Sequence, residues 1–369
     1  MIPILDLHAQ YETIRDELEA AVLEVLRGGA YILGANVRAL EQEVAAFLGA
    51  GRGVGVASGT DALRLCLHAL GLAPGDEVIT TPFTFIASAN TISRAGATPV
   101  FVDIEHGTFN IDPRAIAAAV TPRTVGIVPV HLYGQAADMD AIMAIAGRHG
   151  LWVLEDCAQA IGAAWNGRPV GTFGAAGCLS FYPTKNLGAA GDGGMVVTGD
   201  ARLAGQVELL RRHGGRDKYN VEMVGYNSRL DEIQAALLRV KLRRLQQWND
   251  ARRRIAARYD ALLAGTPATT PAVAAGATHV YHQYTIRAPR RDALAVHLRR
   301  QGIGTMIYYP YPLHRQAVYA GLGYAEGSLP ESERAGREVL SLPIYPELSD
   351  AQIAQVAQAI RSFYGAPAD

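Results

Sequence analysis

Through its first two thirds, the chain alternates short, continuous apolar runs with longer amphipathic stretches. The runs are VGVAS (54–58), EVITT (77–81), PVFVD (99–103), TVGIVPVHL (124–132), LWVLED (151–156), GCLSFY (177–182) and GGMVVT (193–198). Most are β-branched and apolar at successive positions. That is the pattern of strands covered on both faces, as in a parallel sheet with helices above and below. TDALRLCLHALG reads as a helix that starts at a capping residue and ends at Gly71. DMDAIMAIAGRHG reads as another, starting at Asp138 or Asp140 and ending at Gly150. No helix fits between the last two runs, so they predict a hairpin or a sharp return.

The texture changes after about residue 228. SRLDEIQAALLRVKLRRLQQWNDARRRIAARYDALLAG is one helical pattern, too long for a typical globular helix, so it should bridge two lobes or break once. HVYHQYTIRAP (279–289) alternates like a strand, RRDALAVHLRRQG is a helix ended by Gly302, and Ser349 opens the closing helix with a Ser-x-x-Gln cap. GTPATTPAVAAGA (265–277) reads as a loop. The expected organisation is a large α/β domain over 1–240 with a mostly parallel seven-stranded sheet, then a smaller α+β domain over 241–369.

Composition removes several function classes. The chain has 369 residues and a net charge of -1, which gives no electrostatic case for nucleic acid or a membrane surface. Cys66, Cys157 and Cys178 show no Cys-x-x-Cys spacing, and an odd count builds no disulfide framework; a reducing cytoplasm is the expectation. The N-terminal stretch lacks a basic start before an apolar core, so no secretion signal is expected. No run is long enough to span a membrane, and no His-Glu-x-x-His or similar spacing calls for a bound metal. No Gly-x-Gly-x-x-Gly follows a first strand and no Gly-Lys-Ser/Thr occurs, which removes dinucleotide and nucleoside-triphosphate binding.

Lysine is scarce: only Lys185, Lys218 and Lys241 are lysines among 34 Lys+Arg. A surviving lysine can mark a place where guanidinium fails, because an amine can lose its proton and attack a carbonyl while arginine stays charged; it can equally be a surface lysine beside a turn. Lys185 lies in SFYPTKNLGAAGDGG, just beyond the sixth run, with Ser180 at the run's end. Ligands in open parallel sheets collect at the carboxyl ends of strands, and three more segments place polar groups there. Ser58, Gly59 and Thr60 join a strand to a helix, which suits a phosphate as well as an ordinary helix cap. Asp156 closes an apolar strand, where a carboxylate needs a cation or donors; it could also cap a following helix. Gln159 follows three residues later, on the same side of a helical turn. Phe85 could stack on a flat ring or pack in the core. An amine for an aldehyde, an acid for a pyridinium, an aromatic face and a Ser/Thr/Gly cradle together fit pyridoxal 5'-phosphate.

EDCAQAIGA, SFYPTKNLGAAGDGG and GYNSRLDEIQAA, with ASGTDAL upstream and YYPYPLH downstream, resemble the nucleotide-sugar aminotransferases of the DegT/DnrJ/EryC1/StrS group, which are fold-type I pyridoxal phosphate enzymes. The resemblance covers nearly the whole chain in the right order. It implies that Lys185 holds the cofactor as a Schiff base, Asp156 binds the pyridine nitrogen, Gln159 lies near the ring hydroxyl, and Phe85 stacks on the ring. Gly59, Thr60 and Ser180 would hold the phosphate, with Asn227 reaching it from the neighbouring subunit of a homodimer. Arg229 and Tyr309 match positions that touch the nucleotide-sugar. Tyr182 stands where many relatives have His or Phe. The implied activity is amino transfer from an amino acid, usually L-glutamate, to a nucleotide-linked keto-sugar in amino-sugar biosynthesis. The stretch GGRDKYNVEMVGYNSRLDEIQAALLRVKLRRLQQWNDARRR resembles the branch acting on 3-keto deoxysugars, often dTDP-linked; the 4-keto branch is the alternative. A dehydrating branch carries His in place of the lysine, and Lys185 argues against it. The rival of another class is a non-catalytic protein that uses the same fold for binding or regulation.

Overall fold

The computed structural model describes residues 1–365. All seven apolar runs form strands of one sheet: β1 (Arg52–Val56), β2 (Glu77–Thr80), β3 (Thr98–Phe101), β4 (Thr124–Val128), β5 (Trp152–Asp156), β6 (Ala176–Ser180) and β7 (Gly194–Thr198). Their order across the sheet is β1-β7-β6-β5-β4-β2-β3. Pairing is parallel from β3 to β6, and β7 is antiparallel to both β1 and β6. Six strands therefore share one direction, and their carboxyl ends open along one edge. The expected return between the last two runs is the segment 181–193, which carries Lys185.

The runs are continuous because both faces are covered. Val78, Val128, Leu154 and Cys178 point to the side of the helix Gly59–Ala69, while Ile79, Ile127, Val153 and Leu179 point to the side of the helices Ala35–Leu48 and Met139–His149. Neighbours in each strand thus serve opposite layers, the period-two rule for a pleated strand. Burying each such Val, Leu or Ile contributes about 1.5–3 kcal/mol.

Two helices, Leu7–Gly28 and Ala35–Leu48, precede the sheet and extend the expected pattern. The helix Gly59–Ala69 starts two residues earlier than TDALRLCLHALG suggests: its cap is Ser58, whose hydroxyl accepts from the Asp61 N–H at 3.1 Å. The next helix does begin at Asp138 and end at Gly150, whose left-handed φ of 66° suits a residue without a side chain. The long helical stretch breaks once, between Glu232–Leu242 and Leu245–Leu263. Arg243 and Arg244 at the break each donate to Glu17, at 2.8 Å.

A second buried cluster joins residues between Ile255 and Ile360, together with Ile2. Its frame is the antiparallel pair β8 (Tyr284–Arg287) and β9 (Val339–Leu342). The closing helix Asp350–Tyr364 has the capping box expected at Ser349 and Gln352. The chain start is tied here too, since the Ile2 N–H donates to the Gly302 carbonyl at 2.8 Å. Among the described residues, no helix is long and apolar enough to cross a membrane.

Candidate active site

The carboxyl ends of β1, β5 and β6 bring the predicted segments together. Asp156 is the last residue of β5, Ser180 the last of β6, and β1 leads through Ser58 into the helix Gly59–Ala69. Cys178 of β6 pairs in register with Asp156, so the return that carries Lys185 leaves the sheet beside that carboxylate. The segment from β2 to the helix Ala87–Arg94 supplies Phe85 and Ser88.

Asp156 is 5% exposed, and among the described residues no ion pair joins it to an arginine or lysine. Its oxygens accept from the Ser88 hydroxyl at 2.8 Å and the Ala158 N–H at 3.1 Å. No helix follows it, so capping does not account for its place. Burial pushes its pKa up; Ser88, Ala158, Lys185 and His131 pull the other way. A buried carboxylate held by neutral donors is costly unless a cation arrives.

Lys185 is its counterpart. Burial lowers the amine's pKa from 10.5 to about 8, and Asp156 opposes the shift. At pH 7 about a tenth of such an amine is unprotonated, roughly two orders of magnitude more than for an ordinary lysine. Lysine next to a desolvating wall and a single acid is thereby a usable nucleophile. Lys241 is also lowered to about 8 by burial, but its Nζ is committed to the Gly188 carbonyl at 2.7 Å. The pKa alone would not choose between them; the neighbouring acid and the strand edge do.

The anion cradle is tight. A Cβ on Gly59 would stand 2.6 Å from the Ser180 Cβ, and one on Gly194 would stand 2.3 Å from the Ser58 backbone carbon. Glycine at both positions lets the helix start, the end of β6 and the start of β7 close on one another. The first N–H groups of a helix have no partner within it, so Gly59 and Thr60 present donors at the positive end of an 11-residue helix. Phe85 is 58% exposed, so it is not a core residue; its neighbour Phe83 is the buried one. Gln159 is buried with its amide oxygen accepting from the Tyr133 N–H at 2.7 Å and its Nε2 donating to the Tyr309 hydroxyl at 3.1 Å. Tyr309 is thus fixed at the same edge, where Asp156 adds to the effect of burial in raising its pKa. Asn227 is exposed and accepts from Arg229 at 2.7 Å. Among the described residues no hydrogen bond links that pair to Lys185 or Asp156.

These features fit a ring with an aldehyde, a basic nitrogen and a phosphate: a free amine, an uncompensated acid, an open aromatic face and a glycine-lined helix start. Two residues of the site had no sequence signal. Ser88 lies in a helix that reads as ordinary, and His282 lies inside an alternating strand-like run, yet His282 Nε2 is 3.5 Å from Lys185 Nζ. Nearby, His131, Glu155 and Cys157 group their donor atoms within 4.8 Å. That cluster is already spent on structure. Glu155 accepts from the N–H groups of Gly171, Phe173 and Gly174, and His131 Nδ1 accepts from Ala137, leaving its Nε2 proton for Glu155.

The model of the DegT/DnrJ/EryC1/StrS aminotransferase family matches residues 12–361. A "pleiotropic regulatory protein" of Geobacillus stearothermophilus is 54% identical, over 98% of this chain and 98% of its own length. A UDP-N-acetyl-3-dehydro-alpha-D-glucosamine 3-aminotransferase of Acidithiobacillus ferrooxidans is 51% identical, over 98% of this chain and 97% of its own. The crystal structure of Streptomyces venezuelae DesV in complex with a ketimine intermediate superposes with a TM-score of 0.97 at 48% identity, covering 100% of this chain and 99% of that one.

Proposed function

The chain belongs to the DegT/DnrJ/EryC1/StrS aminotransferase family, and on that premise we propose that it is a pyridoxal 5'-phosphate-dependent aminotransferase that moves an amino group from L-glutamate to a 3-keto sugar carried on a nucleoside diphosphate. One observation carries the reading: the half-buried amine of Lys185, lowered to about 8, faces the buried carboxylate of Asp156 at the carboxyl edge of a parallel sheet. The name of the 51%-identical relative, a 3-aminotransferase acting on a 3-dehydro sugar nucleotide, supports the choice of carbon.

Bound, pyridoxal phosphate supplies an aldehyde that exchanges amines and a ring that absorbs the electron pair left when a Cα proton departs. The chain's own residues do the rest. Lys185 anchors the cofactor and, once released, carries a proton as general acid and base; a pKa near 8 suits both tasks at neutral pH. Asp156 would keep the ring nitrogen protonated, and Ser88 and the Ala158 N–H hold its carboxylate in place. Gly59, Thr60 and Ser180 would hold the phosphate, Phe85 would stack on the ring, and Gln159, whose Nε2 donates to the Tyr309 hydroxyl, would serve the ring hydroxyl. We assign Asn227 to the phosphate of a second copy, which its exposed position and its distance in sequence from the other site residues support. An apolar hollow lined by Leu7, Tyr11, Val22 and Leu23 beside Pro183, two residues before Lys185, supports a homodimer with adjoining sites. Arg229 and Tyr309 face the sugar nucleotide in this reading.

The regulatory name of the 54%-identical relative favours the non-catalytic rival. The preserved Lys185–Asp156 pair favours the enzyme, since a binding protein has no use for an amine kept partly unprotonated. The discriminating experiment starts from enzyme converted with glutamate to its pyridoxamine form and then mixed with 3-keto or 4-keto sugars on UDP or dTDP. The 3-keto compounds should restore the pyridoxal spectrum rapidly. Restoration by the 4-keto compounds alone would overturn the choice of carbon, and no conversion by glutamate would overturn the choice of donor.

A further inference from the structure

A chain of amide hydrogen bonds fixes the protonation of one buried ring beside Lys185. Asn249 Nδ2 donates to the Ile161 carbonyl at 3.2 Å, which leaves Asn249 Oδ1 as an acceptor. Asn186 Nδ2 donates to that oxygen at 2.8 Å and to the Val280 carbonyl at 3.0 Å. The other end of the Asn186 amide is therefore an oxygen, and it lies 3.3 Å from His282 Nδ1. An amide oxygen only accepts, so Nδ1 carries the proton. In a neutral ring Nε2 is then a bare lone pair, 3.5 Å from Lys185 Nζ, with the amide Nε2 of Gln283 also at 3.5 Å.

The ring stays neutral for a separate reason. His282 is buried, and Lys185 on one side and Arg252 on the other add to that burial in driving its pKa well below the ordinary value. Arg252 is held there by the carbonyls of Tyr281 and Ile344, both at 3.0 Å. The charged groups facing the amine and the ring are thus Asp156, at the end of β5, and Arg252, in the helix Leu245–Leu263.

We propose that His282 is a positioning residue for the Lys185 amine: locked as the Nδ1–H tautomer by Asn186 and Asn249, it offers Nε2 as an uncharged acceptor that holds the amine at one point whenever the lysine is not bonded to the cofactor. The proposal rests on the reading of Lys185 as the reacting amine. It separates two jobs. Asp156 supplies charge, while His282 supplies direction without taking the proton away. An acceptor that could itself become charged would compete with the lysine for that proton.

Three lysines make a direct test practical. In cofactor-free protein with 15N at the lysine Nζ, the Lys185 signal is assigned by its loss in Lys185→Arg and followed against pH. His282→Asn keeps a donor for Asn186 but removes the acceptor on the lysine side. His282→Gln keeps an acceptor on the lysine side. The Asn variant should lower the Lys185 pKa by about one unit, a tenfold weaker hold on the proton, and the Gln variant should stay close to wild type. An unchanged or raised pKa in the Asn variant overturns the proposal. In the wild-type protein, ring 15N shifts should show His282 with Nδ1 protonated and Nε2 bare through neutral pH; the opposite tautomer overturns it as well. Both readouts come from protein without cofactor, so they stand apart from any failure of the transaminase reading itself.

Discussion

Replacing Lys185 with alanine should lower kcat for amino transfer by at least about 10⁴-fold, with the fold intact. Two functions leave with one side chain. The covalent anchor goes, and so does the group that carries the proton, a role worth about 10²–10⁴-fold by itself. Stability should not fall. The amine's lowered pKa means that burial disfavours its charged form, so removing it relieves a cost, and thermal unfolding of the cofactor-free variant should occur at or above the wild-type temperature. Lys185→Arg should be as inactive as the alanine variant, because guanidinium does not give up its proton. A Lys185→Ala enzyme that retains more than a hundredth of the wild-type kcat would remove Lys185 from the chemistry.

Asp156→Asn is the second large effect. In the cofactor-free protein the carboxylate is buried, leans on Ser88 and Ala158, and has its pKa raised by burial. A neutral amide of nearly the same shape should therefore leave stability unchanged or increase it. With the cofactor bound the sign reverses, because the ring nitrogen loses the charge that keeps it protonated. Breaking a buried charge pair costs about 3–5 kcal/mol, so kcat should fall by about 10³-fold. Turnover is measured alongside cofactor affinity and melting of the cofactor-free protein. A variant that melts lower but turns over normally would make Asp156 a structural residue.

Much of the fold could be read from local pattern, because both faces of the sheet are covered and each strand is therefore an unbroken apolar run. The carboxyl-edge chemistry was readable for the same reason: a polar residue ending such a run, as Asp156 and Ser180 do, stands out. What escaped depends on distant partners. Arg243 and Arg244 carry no helix-breaking signal, yet both bind Glu17 at the break. Phe85 and Phe83 are indistinguishable as letters in TPFTF, and only packing separates the exposed ring from the buried one. His282 sits in a run that alternates like any strand, and its role is set by Asn186 and Asn249, far apart in the chain. The helix cap is Ser58, two residues before Thr60; Ser and Thr both cap well, and local sequence does not choose between them.

The central claim concerns a single amine, and three lysines in the whole chain allow it to be tested without ambiguity. Enzyme reconstituted with pyridoxal 5'-phosphate is reduced with borohydride, digested, and its peptides are weighed. The phosphopyridoxyl mass should appear on the peptide containing Lys185 at close to one per chain. Label on Lys218 or Lys241 instead, or no label from protein that has demonstrably bound the cofactor, would contradict the account.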